Sequence, residues 1–133
     1  MQTDTVKTMS QYDLKKMIRD SLVRVYRNEL YAKNQNKANR VTTFYVLAQQ
    51  KFYNNEFREA LSLINVAEKT MPTSDVLALK GSIYLGLGSI EEFTNYWRQA
   101  LTLDSKVPIP PSPAVVEELK RQGLINENLE RNF

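Results

Sequence analysis

The sequence contains no cysteine and no histidine, and these two absences exclude several kinds of site before any motif is considered. Histidine is the commonest general acid/base at neutral pH and the commonest metal ligand. Without either residue, the chain cannot form a Cys/His zinc site, a His-dependent catalytic triad or a disulfide framework. We therefore expect a protein that is not an enzyme, with no catalytic residues, no cofactor and no bound metal.

Long apolar runs are also absent. No stretch of about 18 apolar residues occurs, so no membrane-spanning helix is predicted. The first 16 residues are polar and charged and no apolar run follows them, so no signal peptide is predicted. This pattern favours a cytoplasmic protein, and a periplasmic location stays open if the sequence is a piece of a longer chain.

The net charge of +3 is unevenly distributed along the 133 residues. Residues 1–40 hold nine Lys or Arg and four Asp or Glu, a net +5 that leaves −2 for the rest. The basic character therefore belongs to the N-terminal region. The length suits one domain, and the 42% apolar content suffices for one core.

Apolar spacing and turn residues predict about six helices and no strand, because no segment alternates apolar and polar residues as a half-buried strand does. Ser10 followed by Asp13 resembles a capping box at the first helix, and a polar segment over 34–39 predicts a break after it. Residues 1–9 and 126–133 are expected to be flexible. The predicted helices cover 11–32, 40–53, 56–70, 74–85, 90–103 and 113–122.

Four of these helices repeat with a period of 33 residues. Phe44 corresponds to Leu77, Ala48 to Gly81, Ile64 to Trp97 and Ala67 to Ala100. A period of this size is typical of stacked helical hairpins, in which small residues lie where helices cross and large ones fill the space between hairpins. The core is expected to be led by Phe44, Leu47, Ala48, Ile64, Leu77, Gly81, Tyr84, Trp97 and Ala100.

This pattern resembles the tetratricopeptide repeat (TPR) family, with one unit over 41–73 and a second over 74–106. The segment 97–104, WRQALTLD, is similar to the end of such a unit, whereas Lys80 and Phe93 depart from it. The period also fits ankyrin repeats, but their signature is absent. The resemblance implies a short right-handed α-solenoid in a single domain, 10–125, capped by helices 11–32 and 113–122.

The resemblance also implies a ligand groove lined by the first helix of each unit. The predicted groove residues are Tyr45, Val46, Gln49, Phe52, Tyr53, Leu79 and Ser82. Family members that clamp a peptide carboxylate place Lys, Arg and Asn along these positions, and this chain has none there. An apolar, aromatic groove of this kind suits a helical or an extended protein segment. The groove is either open or filled by helix 11–32 or helix 113–122.

A second stripe of residues on helix 11–32 is a possible outer partner face. At about 100° per residue the stripe lies away from the apolar face of Leu14, Met17, Ile18, Leu22 and Val25, which is expected to pack on the first hairpin. Basic residues interleaved with aromatics suit a partner helix or an acidic surface, and nucleic acid is disfavoured. The alternative is an ordinary solvated face. The stripe contains Tyr12, Lys15, Arg19, Val23, Tyr26 and Leu30.

Taken together, these features predict a non-catalytic interaction module, a TPR scaffold or adaptor that binds a segment of a protein partner within a larger assembly. The alternative is a small TPR-type chaperone for a secreted or assembling subunit, as in bacterial secretion systems. Self-association of the chain stays open. The Pro-rich segment 108–113 is either a rigid connector or itself a ligand for an aromatic groove.

Overall fold

A computed structural model describes residues 10–126, and all regular structure within that range is α-helical. The predicted all-α class is therefore confirmed. The flexible ends predicted over 1–9 and over most of 126–133 lie outside the described residues. The five helices are α1 (Gln11–Tyr53), α2 (Phe57–Thr70), α3 (Ser74–Gly86), α4 (Ile90–Leu103) and α5 (Pro113–Arg121).

The predicted break over 34–39 is wrong, because α1 continues through this segment, so the described residues form five helices where the sequence predicted six. No Gly or Pro occurs between Ser10 and Tyr53. Three asparagines in the segment each cost well under 1 kcal/mol of helix propensity, and the Ala, Lys and Gln residues between them favour the helix. The N-terminal cap is as predicted, since the Asp13 N–H donates to Ser10 Oγ at 3.1 Å.

The chain divides into two units, residues 1–36 and 37–133. The described part of the first unit is a single helical segment, and every residue in it is exposed. A lone helix cannot bury its own apolar stripe, so Leu14, Met17, Ile18, Leu22 and Val25 are each 45–53% exposed. The capping role predicted for residues 11–32 stays a prediction.

The second unit is built around α3, which packs on α4 and, less extensively, on α2. Every residue of α3 from Val76 to Ile83 is buried, as expected of a helix surrounded by others. Gly81 permits this packing, because a Cβ at that position would lie 2.9 Å from Trp97 Cδ1 and 3.1 Å from the Phe93 carbonyl oxygen. The predicted small residue at this crossing therefore has a direct steric reason.

Most of the predicted core is buried. Ala48, Ile64, Trp97 and Ala100 are fully inaccessible, and Leu77 and Gly81 are buried as well. Phe44 and Tyr84 are half-buried. The prediction of Leu47 as a core residue is wrong, since Leu47 is 41% exposed. Along α1, buried positions follow the row of Val41, Ala48 and Phe52, and Leu47 points about 100° away from its neighbour in that row.

Lys80, which departs from the repeat pattern, is buried in the second unit with a partner. Its Nζ lies 2.8 Å from Glu68 Oε1 on α2 and 4.7 Å from the centre of the Tyr96 ring on α4. A buried ammonium group needs such partners to offset its lost hydration. The ion pair thus ties α3 to α2.

The segment between α4 and α5 is extended and lies against the second unit. Val107 and Ile109 are buried, whereas Pro108 between them is exposed, which is the alternation of an extended chain. The Ser112 N–H donates to the Pro110 carbonyl oxygen at 2.8 Å, just before α5 begins at Pro113. Gly123 follows α5 with φ of +69°, as predicted for a helix-terminating glycine.

Candidate binding groove

A cleft of about 190 Å³ opens in the second unit beside α1 and α3. α1 contributes Tyr45, Gln49 and Tyr53, whose spacing of four residues places them along one side of the helix. From α3 come Asp75, Ala78, Leu79 and Ser82, again one face at helical spacing. Trp97 of α4 and the segment Pro108–Pro111 complete the lining.

The structure brings five of the seven predicted groove residues together in this cleft: Tyr45, Gln49, Tyr53, Leu79 and Ser82. Val46 does not line the cleft and is 42% exposed. Phe52, predicted as a groove residue, does not line the cleft either. It is 6% exposed and belongs to the buried row of α1. Its ring lies 5.9 Å from that of Phe57, centre to centre, so its main environment is the core.

Two shallower depressions adjoin the cleft and extend it along α1. One, of about 250 Å³, shares Tyr45 and Asp75 with the cleft and reaches back to Ala38. The other shares Gln49 and Tyr53 and reaches Asn54. We call the three together the inner groove. Its length from Ala38 to Tyr53 is about 22 Å at the helical rise of about 1.5 Å per residue.

Two features of the inner groove were not predicted as such. Trp97 was expected in the core, and it is fully buried, yet it forms part of the cleft wall. The Pro-rich segment was predicted to be a rigid connector or a ligand for an aromatic groove. In the structure it leads into α5 and also forms a wall of the cleft. The bounding element is therefore this extended segment, and α5 itself does not line the cleft. A local sequence signal could not place a connector against helices that precede it by about 25 to 60 residues.

Hydrogen bonds inside the cleft leave it poor in free donors. The Trp97 Nε1–H donates to Ser82 Oγ at 3.1 Å, and the Ser82 hydroxyl donates to the Ala78 carbonyl oxygen at 2.9 Å. Pro108, Pro110 and Pro111 carry no backbone N–H. The side-chain donors that remain are the phenol groups of the tyrosines and the amide of Gln49.

Asp75 is the one charged residue in the lining of the cleft. Burial, with smaller contributions from the Asp75 charge and from Tyr53, raises the pKa of Tyr45 to about 12. Burial also raises the pKa of Tyr53. Both phenols are therefore neutral at physiological pH, and the cleft carries a single negative charge.

The predicted outer face lies on the exposed helix of the first unit. Tyr12 is 70% exposed and Tyr26 64%, and Lys15, Arg19, Val23 and Leu30 are exposed as well. These side chains are accessible, and their role in binding stays a prediction.

Among residues 10–126, no group of three or more His, Cys, Asp or Glu residues could hold a metal ion. Glu118 is buried and paired with Arg121, whereas Glu117 is exposed. The same part of the chain has no helix long and apolar enough to cross a membrane.

Comparison of the chain with protein-family models, with curated proteins and with solved structures finds no match. The function of the inner groove must therefore be inferred from the residues that line it.

Proposed function

We propose that this protein is a non-catalytic, TPR-type interaction module that holds an extended segment of a partner protein in the inner groove. The observation that carries the proposal is the continuity of the groove, since the central cleft shares Tyr45 and Asp75 with one depression and Gln49 and Tyr53 with the next. A groove about 22 Å long accommodates about seven residues of extended chain at about 3.3 Å each.

The shape of the inner groove favours a protein segment over a small-molecule ligand. The central cleft, at about 190 Å³, is below the roughly 300–1,000 Å³ of typical small-molecule sites, and the larger adjoining depressions, of about 470 and 250 Å³, are shallow and more open to solvent. A cleft of this size instead suits one anchoring side chain of a longer ligand. The segment Pro108–Pro111 forms one wall of the central cleft, and a groove bounded by such a wall suits an extended chain laid along it.

The packing of the second unit supports a TPR-type arrangement for the two hairpins. Ala48 and Gly81 correspond under the 33-residue period, as do Ala67 and Ala100, and all four are buried. In this proposal residues 41–53 of α1 pair with α2 in the first repeat, and α3 pairs with α4 in the second. Their first helices then line the inner groove.

Selection of random heptapeptides displayed on phage against the immobilised wild-type chain tests the proposal. Tyr53→Ala removes an anchor from the groove, and Tyr26→Ala removes a comparably exposed tyrosine from the outer face. The selected peptides should bind the wild type and Tyr26→Ala equally, and should bind Tyr53→Ala about tenfold or more weakly, as expected for the loss of an aromatic anchor. Peptides that lose binding only with Tyr26→Ala would place the working surface on the outer face and refute the groove.

A further inference from the structure

Asp75 stands at the junction of two parts of the inner groove, because it lines both the central cleft and the depression that reaches Ala38. A segment seated in either of these two parts therefore lies beside this carboxylate. Asp75 is exposed and lies in the first turn of α3. The charged groups and hydrogen-bond donors around Asp75 therefore determine which ligands the groove accepts.

No basic residue lines either of these two parts of the groove, so nothing in them balances the charge of Asp75. Among residues 10–126 the ion pairs join Lys51 with Glu56, Lys80 with Glu68 and Arg121 with Glu118, and none includes Asp75. The carboxylate thus remains available to a ligand.

The rest of the cleft also favours a donor-rich, positively charged group. The N–H of Trp97 and the hydroxyl of Ser82 are engaged within the protein, and the proline wall offers carbonyl oxygens and few N–H groups. The rings of Tyr45 and Tyr53 border the same space. Aromatic faces attract ammonium and guanidinium groups, and a carboxylate accepts hydrogen bonds from both.

We infer that the partner segment of the inner groove carries a Lys or Arg side chain that binds Asp75 beside Tyr45, flanked by apolar residues in the adjoining parts of the groove. This inference rests on the proposed function and adds the chemical class of the ligand. The groove would then prefer basic segments, the opposite of a groove that clamps a carboxylate.

The heptapeptide selection tests the inference when repeated with Asp75→Asn, which removes the charge at nearly constant shape. Lys and Arg should be enriched in peptides selected by the wild type and should return to library frequency with Asp75→Asn, while apolar positions stay enriched. Asp75→Glu should keep the basic preference. Glu91→Gln is the matched control, because Glu91 is also an exposed acidic residue in a first helical turn, that of α4, and lies outside the groove.

A selected peptide then gives the pairwise effect. Replacing its basic residue by Gln should weaken binding to the wild type about two- to fivefold, as expected for a partly exposed ion pair, and should leave binding to Asp75→Asn unchanged. Groove-dependent peptides without basic enrichment, or enrichment that survives Asp75→Asn, would overturn the inference and leave the proposed function standing. The absence of any peptide sensitive to Tyr53→Ala would instead overturn both.

Discussion

The indole of Trp97 and the hydroxyl of Ser82 are joined by a buried hydrogen bond of 3.1 Å between α4 and α3. The Ser82 hydroxyl in turn donates a hydrogen bond to the Ala78 carbonyl oxygen, so neither buried polar group is unsatisfied. Trp97 is also the largest fully buried side chain and lies across Gly81. Trp97 thus has two roles, since it packs between α3 and α4 and also forms part of the cleft wall.

Trp97→Ala should destabilise the protein by roughly 3–5 kcal/mol, the range for truncating a buried aromatic residue. Urea denaturation followed by far-UV circular dichroism measures the change. A loss below about 1 kcal/mol would contradict the burial of Trp97 and the repeat register that predicted it.

Ser82→Ala should cost about 1–3 kcal/mol, because it leaves the Trp97 N–H buried without an acceptor. In a Trp97→Phe background no such donor exists, so the same Ser82→Ala change should cost clearly less. A double-mutant cycle of the four proteins, measured by urea denaturation, gives the coupling. Equal costs in the two backgrounds would contradict the hydrogen bond.

Gly81→Ala should destabilise the protein despite the higher helix propensity of alanine. The added Cβ would meet Trp97 Cδ1 at 2.9 Å and Tyr96 Cβ at 3.2 Å, and such overpacking costs typically about 1–3 kcal/mol against a propensity gain of about 1 kcal/mol. Gly88→Asn is the contrasting control, since no atom lies within 4 Å of an added Cβ there and any loss of stability reflects the positive φ of 87° alone. A thermal melt showing Gly81→Ala as stable as the wild type would contradict the close crossing of α3 and α4.

Local signals in the sequence predicted the elements of the second unit well, because helix limits there depend on nearby residues. The start of α3 at Ser74 and the ends of α2, α4 and α5 agree with the prediction to within a residue or so. The predicted helix break over 34–39 was wrong because no residue there acts as a local stop signal. Polarity alone does not end a helix, and no glycine or proline stands there to end α1.

The candidate site was predicted in part. Helical spacing placed Tyr45, Gln49 and Tyr53 on one side of α1. That spacing could not separate Phe52 from them, because Phe52 points within about 20° of Tyr45 around the helix. Its burial depends on what packs against that edge of α1, which no local pattern reveals. The proline wall likewise depends on the path of a connector.

Phe52→Ala and Tyr53→Ala, at adjacent positions, should therefore behave differently. Phe52 is 6% exposed and Tyr53 45% exposed. Truncating the buried Phe52 should cost about 3–5 kcal/mol, whereas truncating Tyr53 should cost about 1 kcal/mol, chiefly its edge contact with the Phe52 ring at 5.2 Å. Chemical denaturation of both variants checks the difference. Equal losses of unfolding free energy in the two variants would mean that Phe52 is not a core residue. Phe52 would then again be a candidate residue of the groove.

The stability of the protein should fall as the pH rises from about 10 towards 12, in part through Tyr45. In the folded chain its pKa is raised to about 12, mainly by burial, whereas the unfolded chain has the ordinary value of 10.0. The folded state therefore holds a proton that the unfolded state has lost over this window, so the contribution is complete below pH 10 and disappears as the pH passes the folded pKa.

Lys80 acts in the same direction. Burial lowers its pKa, but the hydrogen bonds to Glu68 and Tyr96 and their charges outweigh burial and raise the pKa above 10.5. Its contribution to stability is likewise present below pH 10.5 and lost above the folded pKa. A variant of Tyr45 alone should therefore reduce the alkaline loss of stability without abolishing it.

Tyr45→Phe should give a shallower decline of the free energy of unfolding between pH 10 and 12 than the wild type, because it removes the phenol and keeps the ring. Tyr12→Phe, at a 70% exposed position, is the matched control and should follow the wild type. Urea denaturation at a series of alkaline pH values measures the slopes, and the ultraviolet absorbance of tyrosinate reports the ionisation directly. If Tyr45→Phe and Tyr12→Phe decline with the wild-type slope, the phenol of Tyr45 is not buried beside Asp75, and the central cleft is more open to water than its geometry indicates.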